Sequence, residues 1–284
     1  MLAPDVATTS DECYVRIATV NLLHGRSLTD GLVDTERMTR AVGELGASLV
    51  GLQEVDRNQF RSGTVDQTAL IAKSMTGGSN EVSYRFVPAI VGEPGARWTS
   101  AAHADQLSGH DLASGDGLPP AYGIGLISLL PVESWHVIRL PAAPVRSPIL
   151  LPGTRRPMLL PDEPRVALVA VLPDGAAPFR TVATTHLSFV PGWNLRQLRR
   201  VLRALGELPG PRVLLGDLNL PHAVVSRGSR GWTSLGRIPT YPGTDPRIQF
   251  DHILTDSTSV VAGSSSRAVA MTISDHRALV IDFG

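Results

Sequence analysis

With 284 residues, 43% of them hydrophobic and 18% charged, the chain has the composition of a globular protein with a large core, which excludes a disordered or fibrous chain. Its 26 basic and 26 acidic residues cancel, so the bulk charge gives no support to a protein that grips duplex nucleic acid through a basic excess. The single cysteine, Cys13, excludes an internal disulfide and a cysteine-rich metal site, and no apolar run reaches transmembrane length.

Arginine supplies nearly all the cations, Lys73 being the sole lysine. That bias suits phosphate recognition, but a GC-rich coding sequence produces it equally, and this second explanation carries more weight. Met1 to Glu12 has neither the basic start nor the apolar stretch of a secretory signal. The expectations are a flexible stretch over 1–14, one domain over 15–284, a monomer, and a cytoplasmic location.

Val15 to Val20 reads as a buried strand that delivers Asn21. Met38, Val42 and Leu45 recur at helical spacing, which predicts an amphipathic helix over Thr35 to Gly46. Ser48 to Leu52 is a second apolar strand, delivering Gln53 and Glu54, and Thr68 to Met75 a short helix stopped by Gly77 and Gly78. Tyr84 to Val91 is strand-like. Gly92 to Pro120 has little periodicity and reads as a long loop, the kind that covers a site or sets specificity. Tyr122 to Ser128 and Ser134 to Arg139 are strand-like, and Pro141 to Pro164 is a proline-rich excursion. Arg165 to Leu172 and Phe179 to Thr185 form two strands joined through a Pro-Asp-Gly turn.

Asn194 to Leu208 is the clearest helix, with Leu195, Leu198, Val201, Leu202 and Leu205 on one face and Arg196, Arg199, Arg200 and Arg203 on the other. Those arginines read as a solvated face. Val213 to Leu215, Asp251 to Leu254, Ala268 to Thr272 and Ala278 to Asp282 complete the strands. Strands often follow strands directly, which favours an α/β sandwich of mixed sheets over a doubly wound nucleotide fold.

The informative pattern lies at the strand ends. Asn21, Glu54, His186, Asp217 with Asn219, Asp251, and Asp275 with His276 each sit where an apolar strand begins or stops. Strand ends bring side chains from distant parts of a chain into one cleft. Carboxylate and amide oxygens suit Mg²⁺ or Mn²⁺, and histidines beside carboxylates suit proton handling or stabilisation of charge. Taken singly, each piece has a structural explanation: Gly-Asp-x-Asn as an Asx turn, Asp-His as a surface pair. It is their number in one chain that points to a site. His24, His103, His110, His136 and His222 read as surface or loop residues, and Arg155–Arg156 as a surface pair able to meet a second phosphate.

The segments LQEVD (52–56), THLS (185–188), GDLN (216–219), FDHIL (250–254) and SDHRAL (274–279), following Asn21, resemble the endonuclease/exonuclease/phosphatase superfamily in content and order. Its members include DNase I-like nucleases, abasic-site endonucleases, inositol-polyphosphate 5-phosphatases and neutral sphingomyelinases. The resemblance implies a four-layer α/β sandwich, two mixed sheets packed face to face with helices outside. It implies a phosphoester hydrolase dependent on Mg²⁺ or Mn²⁺, acting on a phosphodiester or phosphomonoester of a small molecule or lipid head group. A DNA or RNA nuclease is the alternative, and a non-catalytic binding module on the same fold the second alternative. By position, Glu54, Asn21 and Asp275 resemble the metal-holding residues and Asp217 the carboxylate that orients the attacking water. Asn219 resembles the amide that holds that water or a phosphate oxygen. His186 and His276 resemble the phosphate-facing histidines, and Asp251 the carboxylate that orients His276. Arg165 matches an arginine that many members carry before a strand, taken as structural. Two departures stand out: Ile124 occupies a position where many members have Asn, and Leu23 one where nucleases often have Asp.

Overall fold

The computed structural model describes residues 14–76, 82–101, 118–149 and 158–284. His103, His110, Arg155, Arg156, Cys13 and much of the predicted Gly92–Pro120 loop lie outside them. In chain order the elements are β1 (Val15–Asn21), α1 (Thr35–Gly43), β2 (Leu49–Arg57), α2 (Gln67–Met75), β3 (Ser83–Gly92), β4 (Trp98–Ser100), β5 (Ala121–Ser128) and β6 (Ser134–Leu140). There follow β7 (Arg146–Ile149), β8 (Met158–Pro161), β9 (Arg165–Val171), β10 (Thr181–His186), α3 (Trp193–Leu205), β11 (Arg212–Asp217) and α4 (His222–Gly228). The chain closes with β12 (Thr233–Ser234), β13 (Asp251–Thr255), α5 (Thr258–Ala262), β14 (Ser264–Val269) and β15 (Ala278–Phe283).

Two mixed sheets face each other, as expected. One has seven strands in the order β14-β15-β1-β2-β5-β3-β4, the other six in the order β12-β13-β11-β10-β9-β6. Three apolar layers follow from alternation along the strands. Ile17, Leu49, Leu126, Leu168, Val182, Leu215 and Ile253 fill the space between the sheets. Met38, Val42 and Ile71 of α1 and α2 cover the outer face of the first sheet against Ala18, Val50 and Leu52. Leu198, Val201, Leu205 and Val225 of α3 and α4 cover the outer face of the second against Val169, Ala183 and Leu214. The helices begin where the sequence supplies a cap: Asp34 accepts from the Arg37 N–H at 3.0 Å and Asp66 from the Ala69 N–H at 2.9 Å.

Several boundaries differ from the sequence reading. The first helix ends at Gly43, not Gly46, because the chain turns through Leu45 into a left-handed Gly46 (φ +59°). The predicted long loop contains β4, which pairs antiparallel with the end of β3 at the sheet edge, and the proline-rich excursion contains the β7–β8 hairpin. The next-to-last strand is Ser264–Val269 rather than Ala268–Thr272, set by its pairing with β15. Helices α4 and α5, seven and five residues long, were too short for periodicity to reveal.

The sheets approach closely behind the cleft. A Cβ on Gly51 would lie 1.9 Å from Leu215 Cδ1 and 2.6 Å from Thr184 Oγ1, so β2 passes the second sheet with no room for a side chain. Gln53 bridges the gap: its Oε1 accepts from Thr19 Oγ1 at 3.1 Å and its amide donates to Thr184 Oγ1 at 2.9 Å. Gly51→Ala is therefore expected to destabilise the fold by about 1–3 kcal/mol through overpacking. A urea midpoint unchanged by the substitution would show that the sheets are not in this contact.

Candidate active site

All eight predicted site residues lie at one end of the sandwich. That end collects the C-terminal ends of β1, β2, β10 and β11 and the N-terminal ends of β13 and β15, as the parallel and antiparallel registers require. Asn21, Asp217, Asp251 and His186 continue the inward-facing alternation of their strands, so they reach the gap between the sheets where the apolar core gives out.

Glu54 arrives by a different route. Strict alternation would send it to the helix side with Val50 and Leu52. Between Leu52 and Val55 the register with β5 shifts, so that Gln53 and Glu54 lie against the single residue Ile124. Glu54 takes a left-handed backbone (φ +54°), and this bulge turns its carboxylate to Asn21. Asn219 (φ +50°) and Ser274 (φ +75°) are two further non-glycine residues in that region of backbone space. Each such conformation costs about 1–3 kcal/mol and concentrates where geometry serves function.

Asn21 is buried and joins the two sheets. Its Nδ2 donates to Glu54 Oε1 and to Asp217 Oδ2, both at 3.1 Å, while its Oδ1 accepts from the Leu23 N–H at 3.0 Å. Asp217 Oδ1 accepts from the Asn219 N–H at 2.9 Å. Asp217 Oδ2 lies 3.6 Å from His186 Nε2 and 3.9 Å from His276 Nε2, between the two imidazoles. Asn219 Nδ2 donates to the Leu187 carbonyl at 3.0 Å, which identifies it as the nitrogen; the same atom, 3.2 Å from His186 Nε2, therefore finds a lone pair there. His276 Nδ1 is 2.8 Å from Asp251 Oδ2, its backbone N–H donates to Ser274 Oγ at 3.0 Å, and its ring packs on Tyr241 with centroids 4.9 Å apart.

Burial and charge set the protonation states. Burial pushes the Asp217 carboxyl up to about 7, with the Asp251 charge adding to it and His276, Asn219 and Asn21 opposing. Burial works against a charged His276, but the Asp251 carboxylate, with Asp217 and Asp275 beyond, raises it to about 10. Burial, with the charges of Arg165 and His276, drives His186 well below the ordinary histidine value, so it is neutral. Burial also raises Glu54, opposed by the Asn21 hydrogen bond and reinforced by the nearby charge of Asp275.

Two groupings could hold a cation. Asp217, Asp251 and His276 bring their ligand atoms within 4.8 Å of one another, but the His276–Asp251 hydrogen bond already uses one carboxylate and one ring nitrogen. Glu54, which accepts from Asn21, and Asp275 are both half-buried, and their like charges act on each other. Asn21 turns its nitrogen, not its oxygen, toward Glu54.

The structure adds residues the strand-end pattern passed over. Tyr122 is buried beside Glu54, and its hydroxyl is raised well above its usual value by burial and by the Glu54 and Glu163 charges. Arg165 is buried, its Nε has no hydrogen-bond partner, and its charge acts on Glu54, Tyr122 and His186. Arg165 thus belongs electrostatically to the site rather than to structure alone. Arg61 forms a two-pronged pair with Asp56 at 2.7 and 2.8 Å and lies over the Tyr122 ring. The sequence marked Tyr122 as opening the strand that carries Ile124, and Arg165, through the resemblance, as an arginine before a strand taken as structural; nothing marked Arg61. Ile124, at the position of the expected Asn, is buried in the core between the sheets. His222 is half-buried against the wholly buried His252, whose Nε2 faces the Leu220 carbonyl at 2.9 Å on the helix side, away from the cleft.

The same arrangement of sheets recurs in solved structures. An endonuclease/exonuclease/phosphatase from Beutenbergia cavernae superposes with a TM-score of 0.59 at 19% identity, covering 95% of this chain and 71% of that one. An endonuclease/exonuclease/phosphatase family protein from Leptotrichia buccalis gives 0.59 at 10% identity, covering 95% and 99%. A mannosyl-6-phosphatase from Bacteroides thetaiotaomicron gives 0.56 at 13% identity, covering 94% and 98%. These likenesses show the DNase I-like fold. No curated protein matches the sequence. The model of the Endonuclease/Exonuclease/phosphatase family matches residues 18–276, from the middle of β1 through Ser274-Asp275-His276, and the chain belongs to that family.

Proposed function

We propose that the cleft hydrolyses a phosphoester by in-line attack of water on phosphorus, the substrate being a phosphomonoester or phosphodiester of a small molecule or lipid head group. The observation that carries this reading is Asp217 Oδ2, which lies within 4 Å of a neutral and a charged imidazole in a site shared by both sheets. A family of phosphoesterases and nucleases, and a mannosyl-6-phosphatase among the structural neighbours, support it.

Asp217 orients the water and accepts its proton; a carboxyl raised toward neutrality by burial suits a base working near pH 7. His276, kept protonated by Asp251, donates from Nε2 to an oxygen of the phosphoryl group as negative charge builds there. His186, being neutral, adds no positive charge beside Asp217, and its Nε2 accepts from the Asn219 amide, which fixes its ring. Arg165 and Tyr122 supply a cation and a hydroxyl on the side of Glu54. Glu54 and Asp275, paired like charges with hard oxygen donors, fit Mg²⁺ or Mn²⁺, with Asn21 adjoining. A divalent ion held there supplies Lewis acidity toward a phosphate oxygen.

Asp217→Ala and His276→Ala are each expected to lower kcat by about 10²–10⁴-fold with the fold intact. A panel of phosphomonoesters and phosphodiesters assayed with Mg²⁺ checks this, and near-parental turnover in either variant removes that residue from the mechanism. Glu54→Gln should raise the Mg²⁺ concentration needed for half-maximal rate, and an unchanged requirement would assign the ion elsewhere. In the metal-free protein the His276 imidazole should titrate near 10. Removing the Asp251 charge favours the neutral ring, so Asp251→Asn should move that titration downward in an NMR pH series. A titration insensitive to the substitution would end the account of Asp251 as its partner.

A further inference from the structure

The outer surface of the second sheet carries a feature the cleft does not use. Arg196, Arg199, Arg200 and Arg203 of α3 and Arg227 and Arg230 at α4 are all exposed. They line two adjoining grooves of about 560 and 580 Å³ that share Arg199 and Arg203. Among the described residues none of the six pairs with a carboxylate. From residue 188 to 244 the chain has eight arginines and only Glu207 and Asp217 as acids, in a protein whose 26 basic and 26 acidic residues otherwise balance.

This helix works against its own stability. Arg196 and Arg200, Arg199 and Arg203 repel at i,i+4, and Arg196 and Arg199, Arg200 and Arg203 at i,i+3. No acidic residue interrupts them, and Arg196 stands in the first turn, where the helix dipole favours anions. A face that needed only water would be served by glutamates among the arginines. A local conflict of this kind marks a surface kept for binding.

The grooves suit a chain rather than a plane. Half-buried Trp232 lines one groove, and half-buried Trp193, next to the Gly192 and Leu195 that line the other, packs against Arg196 with 5.1 Å from the guanidinium carbon to the ring centroid. Basic grooves with aromatic rings hold single strands by phosphate contacts and base stacking. None of the large apolar side chains that stand out to solvent belongs to α3, α4 or the turn to Trp232, so nothing here would enter a bilayer. The helix that carries four of the arginines also abuts the cleft, since Asn194 on its buried face donates to the Asn219 carbonyl at 2.9 Å.

We propose that the arginine grooves of α3 and α4 bind single-stranded nucleic acid through its phosphodiester backbone, outside the catalytic cleft. The inference concerns a surface and not the reacting groups, so it stands or falls separately from the hydrolytic reading. The test is fluorescence anisotropy of a labelled oligo-dT of about 20 nucleotides, longer than the roughly 4–16 that one such groove covers, in EDTA at increasing KCl. The parent protein should bind with salt-dependent affinity. The Arg199→Ser/Arg203→Ser/Arg230→Ser variant should bind at least about tenfold more weakly, with the log–log salt slope reduced by about 0.7 for each phosphate no longer neutralised. Its turnover of a small chromogenic phosphodiester should match the parent's. Absence of binding by the parent at low salt, equal affinity in the variant, or capture by phosphatidylserine vesicles but not by the oligonucleotide would each overturn the proposal.

Discussion

One carboxamide ties the catalytic end of the molecule together. Asn21 donates from a buried position to Glu54 on its own sheet and to Asp217 on the other. A buried carboxylate without donors costs far more than a hydrogen-bonded one. The approach of the two sheets and the placement of the site are therefore the same structural fact. Gly51 lets the strands close in, Gln53 bridges the gap one residue before Glu54, and Asn21 completes the contact at the rim.

The cleft is built with strain and with opposed charges. Glu54, Asn219 and Ser274 hold backbone conformations that non-glycine residues avoid, and each precedes, follows or belongs to the cluster around Asp217. The two histidines are driven apart by their surroundings. Asp251 beside His276 overcomes the penalty of burying its charge, whereas burial, with the charges of Arg165 and His276, strips the proton from His186 although Asp217 lies near its Nε2. Groups whose environments push them to opposite protonation states can take different parts in one reaction. Six arginines, four on α3, one on α4 and Arg230 just beyond it, have no carboxylate partner among the described residues, so the cationic character absent from the overall charge balance is concentrated on one outer face.

Much of this was legible in the amino-acid order. The apolar runs that end in Asn21, His186 and Asp217 or start at Asp251 named both the strands and the residues at their tips, because alternation along a strand and the switch from core to solvent are local. The helix face of Leu198, Val201, Leu202 and Leu205 was equally local. What escaped was short or non-local: α4, with too few residues for a period; β4, which exists through its pairing with β3; and β14, whose limits follow β15. Arg165 was seen as a strand start, since nothing in its sequence neighbours shows that its charge reaches His186 and Glu54.

The sequence by itself determined the mixed α/β character, the inventory of acidic, amide and imidazole groups, and their positions at strand ends, since these depend on neighbours a few residues apart. Only the tertiary structure decided that Glu54 turns inward through a bulge, that Asp217 sits between two imidazoles of unlike charge, and that arginines from two helices share a groove. Each of these rests on contacts between segments far apart in the chain, and such distances are set when the sheets and helices pack, not by the order of residues along them.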